Sequence, residues 1–140
     1  MIKELCLFIL FSHSLSGAGQ FDEMPLTTSS RAMNMSRAAA QEFEKFDTSA
    51  TRRGIKLIED AILEPSFKRL GVDDQLSIFL QLQEGYHRER DLEKEEWLVL
   101  SLLKNSLMQP YEVSISCRLG LFYMYRGSLQ EAEVILKRLS

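Results

Sequence analysis

The sequence predicts an all-α domain built from three antiparallel helix pairs stacked one on the next. Three observations carry this. Apolar residues recur at three- and four-residue steps from Ser36 onward, the period of helices buried along one side. No run alternates with the two-residue period of a strand. Near the end, Leu119-Gly120, Tyr123, Gly127, Ala132 and Leu136 fall at the spacing L-G-x-x-Y-x-x-x-G-x-x-x-x-A-x-x-x-L. A chain of 140 residues suffices for one domain with a buried core. Its apolar share of 45% and charged share of 26% are ordinary for a globular protein.

Residues 1–18 read as an export signal. Lys3 follows the start, Leu5 to Phe11 is unbroken apolar sequence, and Ser16-Gly17-Ala18 offers small residues for cleavage before Gly19. The other reading is a buried first helix of a cytosolic protein, but SHSLSGAG breaks a helix directly after the apolar run. That run is too short to span a bilayer. Residues 19–34 have no period and carry Gly, Pro, Thr and Ser, so they read as a flexible arm with Met24, Met33 and Met35 as loop residues in and beside it. The helical domain is then 35–140. Of the two cysteines, Cys6 falls in the export segment, so no internal disulfide is expected for Cys117.

The first helix begins at Ser36 and aligns Ala38, Ala39, Phe43 and Phe46 on one face. Asp47-Thr48-Ser49 interrupts it and offers N-caps. The second helix, Ala50 to Leu63, buries Ile55, Leu57, Ile58, Ala61 and Ile62 and stops before Pro65. Phe67 to Asp74 reads as a long connection, with Asp73-Asp74 as the next N-cap. Helix three runs from Gln75 to about Arg88, with Leu76, Phe79, Leu80, Leu82 and Tyr86 apolar. Arg88-Glu89-Arg90-Asp91 makes a charged corner. Helix four runs from Leu92 to about Leu107 with Trp97, Leu98, Leu100, Leu102 and Leu103, and Gln109-Pro110 ends it.

The last pair is the most explicit. Gly120 and Ala132 lack bulk where two helices would cross, and Leu119, Tyr123 and Leu136 would fill the seam. Gly127 ends the first helix in a left-handed cap, and Ser128 with Glu131 is expected to form a capping box. These residues resemble a tetratricopeptide (TPR) repeat at 113–140, with Ser116 where the family has Trp. Two degenerate repeats precede it. Gly54, Ile58, Ala61 and Pro65 resemble one second helix. Leu82 and Tyr86 keep the Leu-to-Tyr spacing of another repeat, in which Glu95 stands where Ala is usual. The resemblance implies a short right-handed solenoid whose first helices line a concave groove. Carried onto this sequence, the groove residues are Cys117, Arg118, Leu121, Met124 and Tyr125, with Gln81, Glu84, His87 and Arg88 (and Ser77) on helix three. Leu121 and Met124 either face the groove or pack against helix three. The Lys and Asn of a clamp for chaperone tails are absent.

No catalytic constellation emerges. His13 lies in the export segment, and His87 reads as a surface residue at a helix end. Cys117, without a His to activate it, reads as a small hydrophobe. There is no metal-binding motif, nucleophile elbow or phosphate loop, so no cofactor and no enzymatic activity are expected. Glu89, Asp91, Glu93, Glu95 and Glu96 alternate with Arg88, Arg90 and Lys94 as a solvated face would. A net charge of −3 without a basic stripe argues against nucleic acid.

Two functions fit. One is an exported, periplasmic or secreted TPR adaptor in a bacterial envelope, pilus or secretion assembly. The other is a cytoplasmic chaperone resembling the small TPR chaperones of type III secretion, holding an extended segment of a secreted protein. Both imply a protein or peptide partner. Val134, Ile135, Leu136 and Leu139 span more than one helix face with nothing after Ser140 to cover them. This last helix is therefore expected to dock against a second copy, as a homodimer, or against a partner subunit, with the N-terminal arm folding over it as the intramolecular alternative.

Overall fold

A computed structural model describes residues 30–139. The export-like segment 1–18, the arm up to residue 29 and Ser140 lie outside the described residues. Six α-helices occur among the described residues: α1 Arg31–Phe43, α2 Thr48–Leu63, α3 Val72–Arg88, α4 Leu92–Lys104, α5 Glu112–Arg126 and α6 Leu129–Arg138. Two 3-10 turns, Pro65–Arg69 and Ser106–Tyr111, link α2 to α3 and α4 to α5. No strand occurs among the described residues, and the protein is all-α. Each helix packs on its neighbours in sequence, and α1 also reaches α3. Connections of four, three and two residues inside the pairs leave each second helix little choice but to fold back along the first.

Several boundaries differ from those expected, each for a local reason. The first helix starts at Arg31, so residues 31–34 belong to α1 rather than to an arm. The Ser30 hydroxyl accepts from the Met33 amide at 3.4 Å, and the Ala32 amide donates to the Ser66 hydroxyl at 3.0 Å. Met33 and Met35 are half-buried helix residues packed on the core, not loop residues. At α2 the cap is Asp47, whose Oδ1 accepts from the Ala50 amide at 2.7 Å. The connection after it is a 3-10 turn pinned by Phe67, which is fully buried edge-on to Phe79 with ring centroids 5.3 Å apart. Helix α3 then begins at Val72 from Gly71. Asp73 and Asp74 lie inside its first turn, where carboxylates oppose the helix dipole, instead of capping it. Helix α4 stops at Lys104, since Asn105 Oδ1 accepts from the Leu107 amide at 3.0 Å and opens the turn that holds Pro110.

A left-handed residue closes the turn within each pair: Phe46 (φ 54°), Arg90 (φ 56°) and Gly127 (φ 85°). After α3, the Arg90 and Asp91 amides donate to the His87 and Tyr86 carbonyls, both at 3.0 Å. After α5, Gly127 and Ser128 donate to Met124 and Tyr123 at 3.1 and 2.8 Å. These are the same C-terminal motif, offset by 37 positions. It also removes the expected capping box. The Ser128 amide is already bonded to Tyr123, so Glu131 has nothing to reach back to, and Ser128 makes no side-chain cap bond.

The seam of the third pair is tight, with one change of partner. A Cβ on Gly120 would lie 2.8 Å from Leu136 Cδ2, so Leu136 rather than Ala132 approaches that glycine. Leu119, Tyr123 and Ala132 are buried. Between pairs, the Tyr86 hydroxyl donates to Glu59 Oε2 at 2.8 Å, and the buried Tyr123 lies beside Glu96. Glu59 and Glu96 are again 37 positions apart. Burial and then the neighbouring glutamate push both phenols up, Tyr123 to about 12 and Tyr86 further.

Candidate functional site

Helices α3, α4 and α5 enclose a cleft of about 290 Å³. Arg118, Leu121, Phe122 and Tyr125 line it from α5, at steps that place them along one helix face. Gln83, Glu84 and His87 line it from α3, and Glu95 comes from the first turn of α4.

A chain of hydrogen bonds runs through the cleft. Glu95 is only 3% exposed. Its Oε1 lies 3.1 Å from His87 Nδ1, and its Oε2 accepts from Gln83 Nε2 at 3.2 Å. Gln83 Oε1 accepts in turn from Arg118 Nη1 at 3.4 Å. The His87 ring leans on Tyr125, with centroids 4.6 Å apart and planes inclined by 54°. At the rim, Glu84 Oε1 accepts from Arg88 Nε at 3.1 Å. Leu121 and Tyr125 are 61% and 55% exposed, whereas Phe122 is buried behind them.

Of the residues expected to line a groove, Glu84, His87, Arg118, Leu121 and Tyr125 come together here. Met124 is exposed on the same helix but outside the lining, so it does not pack against α3. Cys117 is a half-buried free thiol, also outside it. Gln81 and Arg88 serve another purpose: they fasten α1 to α3. Gln81 accepts from the Ser36 hydroxyl and donates to the Ser36 carbonyl at 3.2 Å. Arg88 Nη1 donates to the Phe43 carbonyl at 2.7 Å, its guanidinium over the Phe43 and Phe46 rings at 5.4 and 4.8 Å. Ser77 lines a separate hollow with Asp73, Leu76, Leu80 and Tyr111.

Two expectations are corrected. His87 is not an isolated surface residue, since it joins Glu95 to Tyr125. The acidic run around α4 is not uniformly solvated. Asp91 caps α4 by accepting from the Lys94 amide at 3.3 Å, while Glu89 pairs with Arg52 and Glu96 with Arg126. Glu95 turns inward instead. Gln83, Glu95 and Phe122 were not expected in the site. The available signal was Glu95 itself, 37 positions before the buried Ala132. A carboxylate at a position of close packing must find hydrogen-bond donors around it.

Among the described residues, no three His, Cys, Asp or Glu side chains converge as metal ligands, and no helix is long and apolar enough to cross a membrane. In comparisons with known proteins, the chain matches no family model, no curated protein sequence and no solved structure.

Proposed function

We propose that this chain is a non-enzymatic TPR-like interaction scaffold, its three helix pairs stacked as a right-handed solenoid and its α3–α5 cleft holding a peptide-like segment of a protein partner. One observation carries the reading. Leu121, Met124 and Tyr125 are half or more exposed along α5, beside the polar groups of Arg118 and His87. Large apolar side chains rimmed by polar ones mark association surfaces, and Tyr and Arg are favoured anchors at their centres. The repeated closing motif supports a stack of equivalent units, as does the recurrence of a buried tyrosine beside a glutamate of the preceding pair. With the export-like residues 1–18, the proposal extends to an exported adaptor in a bacterial envelope, pilus or secretion assembly.

The test is a double variant, Arg118→Glu with Tyr125→Ala, both at exposed positions. We expect it to keep helical circular dichroism and to lose the partner that wild type captures in a pull-down. Unchanged capture by the folded variant would move the binding surface elsewhere. Export is tested separately by mass spectrometry of the protein from a secreting cell. A mature start at or near Gly19 is expected, and an intact Met1 confined to the cytosol overturns that part.

A further inference from the structure

We infer that the cleft selects a basic side chain, a Lys or Arg of the partner polypeptide, and seats its charged end against the Glu95 carboxylate. The inference rests on the peptide-binding proposal above and names the residue class that the site reads.

What surrounds Glu95 leaves it short of partners. A carboxylate offers about four lone-pair sites, and only two protein donors meet this one, the Gln83 amide and the His87 ring. Neither is a permanent cation. The two arginines at the cleft are engaged elsewhere. Arg88 is held by Glu84 and the Phe43 carbonyl, and Arg118 meets the far end of the Gln83 amide. Among the described residues, no Lys or Arg side chain forms an ion pair with Glu95. A carboxylate withdrawn from water is best compensated by an opposite charge with good hydrogen-bond geometry.

The walls suit such a guest. Leu121, Phe122 and Tyr125 offer apolar surface to the methylene stem of a long basic side chain, which buries its stem and keeps its head polar. The exposed Tyr125 ring can also take a guanidinium or ammonium over its face. The cleft volume lies near the lower end of ligand pockets, about 300 Å³, on the scale of one long side chain with its backbone. An acidic guest would meet the Glu95 carboxylate, with which no Lys or Arg side chain of the described residues pairs.

The experiment uses acetylated, amidated nonapeptide pools, randomised around a fixed central Lys, Arg, norleucine, citrulline or Glu, titrated into the full chain by fluorescence anisotropy. The Lys and Arg pools should bind about tenfold more tightly than norleucine and citrulline, the scale of a hydrogen bond to a charged group, with Glu weakest. Glu95→Gln should level the pools, whereas Tyr125→Ala should weaken all of them. Glu84→Gln, at the exposed rim, should keep most of the preference. Should Glu95→Gln fail to fold, the wild-type ranking still decides. Pools that bind wild type equally overturn the inference and leave the peptide cleft standing. If no pool binds, both fall. A preference lost in Glu84→Gln and kept in Glu95→Gln also overturns it, by moving the contact to the rim.

Discussion

Gly54 and Gly120 both sit where two helices nearly touch, yet their neighbours differ in freedom. A Cβ on Gly54 would meet three atoms of the Phe43 ring at 2.6 to 3.0 Å. That ring is buried and also lies under Arg88, so it has little room to retreat. On Gly120 the added carbon would meet Leu136, a flexible side chain that is 38% exposed and can swing outward. Alanine gains about 1 kcal/mol over glycine inside a helix, and overpacking costs about 1–3 kcal/mol. We therefore expect Gly54→Ala to lose up to about 2 kcal/mol and Gly120→Ala to stay within about 1 kcal/mol of wild type. Urea titration of both variants checks this, and equal losses would contradict the difference in room. The glycines and their helices were legible in the sequence, because small residues at helix crossings carry a strong spacing signal. The identity of each neighbour was not, since Leu136 reaches Gly120 only through a side-chain direction that spacing leaves open.

Elements were legible where their ends are set by nearby residues and obscure where they depend on distant ones. Asp47 and Gly127 act within their own turns, and both helix boundaries there could be read. The start of α1 was not read: Ser30 caps it locally, but the Ala32 amide is satisfied only by Ser66, 34 positions away. The turn at Pro65–Arg69 depends on Phe67 finding Phe79, and the inward turn of Glu95 on donors from α3. Helix α6 illustrates the reverse case, an expectation that persists at the surface. Leu129, Val134 and Leu136 remain exposed on it, and a shallow hollow beside them is lined by Tyr123, Gln130, Glu131, Val134 and Ile135. Exposed apolar surface of this kind favours association, most often by two-fold pairing. We expect light scattering to find concentration-dependent dimers that Ile135→Glu abolishes. Monomers of both proteins at every concentration would contradict it.

At the scale of the whole molecule, a buried tyrosine of each later pair faces a glutamate of the preceding pair: the Tyr86 hydroxyl donates to Glu59, and Tyr123 lies beside Glu96. In unfolded chain a phenol ionises near pH 10, whereas folding holds Tyr123 protonated up to about 12 and Tyr86 higher still. Above pH 10 the unfolded state therefore binds fewer protons than the folded one. The stability that these protons confer is complete below pH 10 and is lost as pH rises above it, by about pH 12 for Tyr123 and beyond that for Tyr86. Thermal melts should show that decline, and Tyr123→Phe should make it shallower; an unchanged slope would mean that Tyr123 is not held between the pairs. The repeated closing motif of these pairs has a consequence for chain length. Because the closing bonds after α3 and after α5 repeat at an offset of 37 positions, residues 75–111 form a segment that can be spliced in twice. A second copy placed after Tyr111 would set its counterpart of Tyr86 beside Glu96 and its counterpart of Glu96 beside Tyr123, leaving no end unmatched. The lengthened protein should gain helical signal in proportion to the insert, with scattering that reports a longer particle, whereas the same insert trimmed by two residues should misalign every later contact.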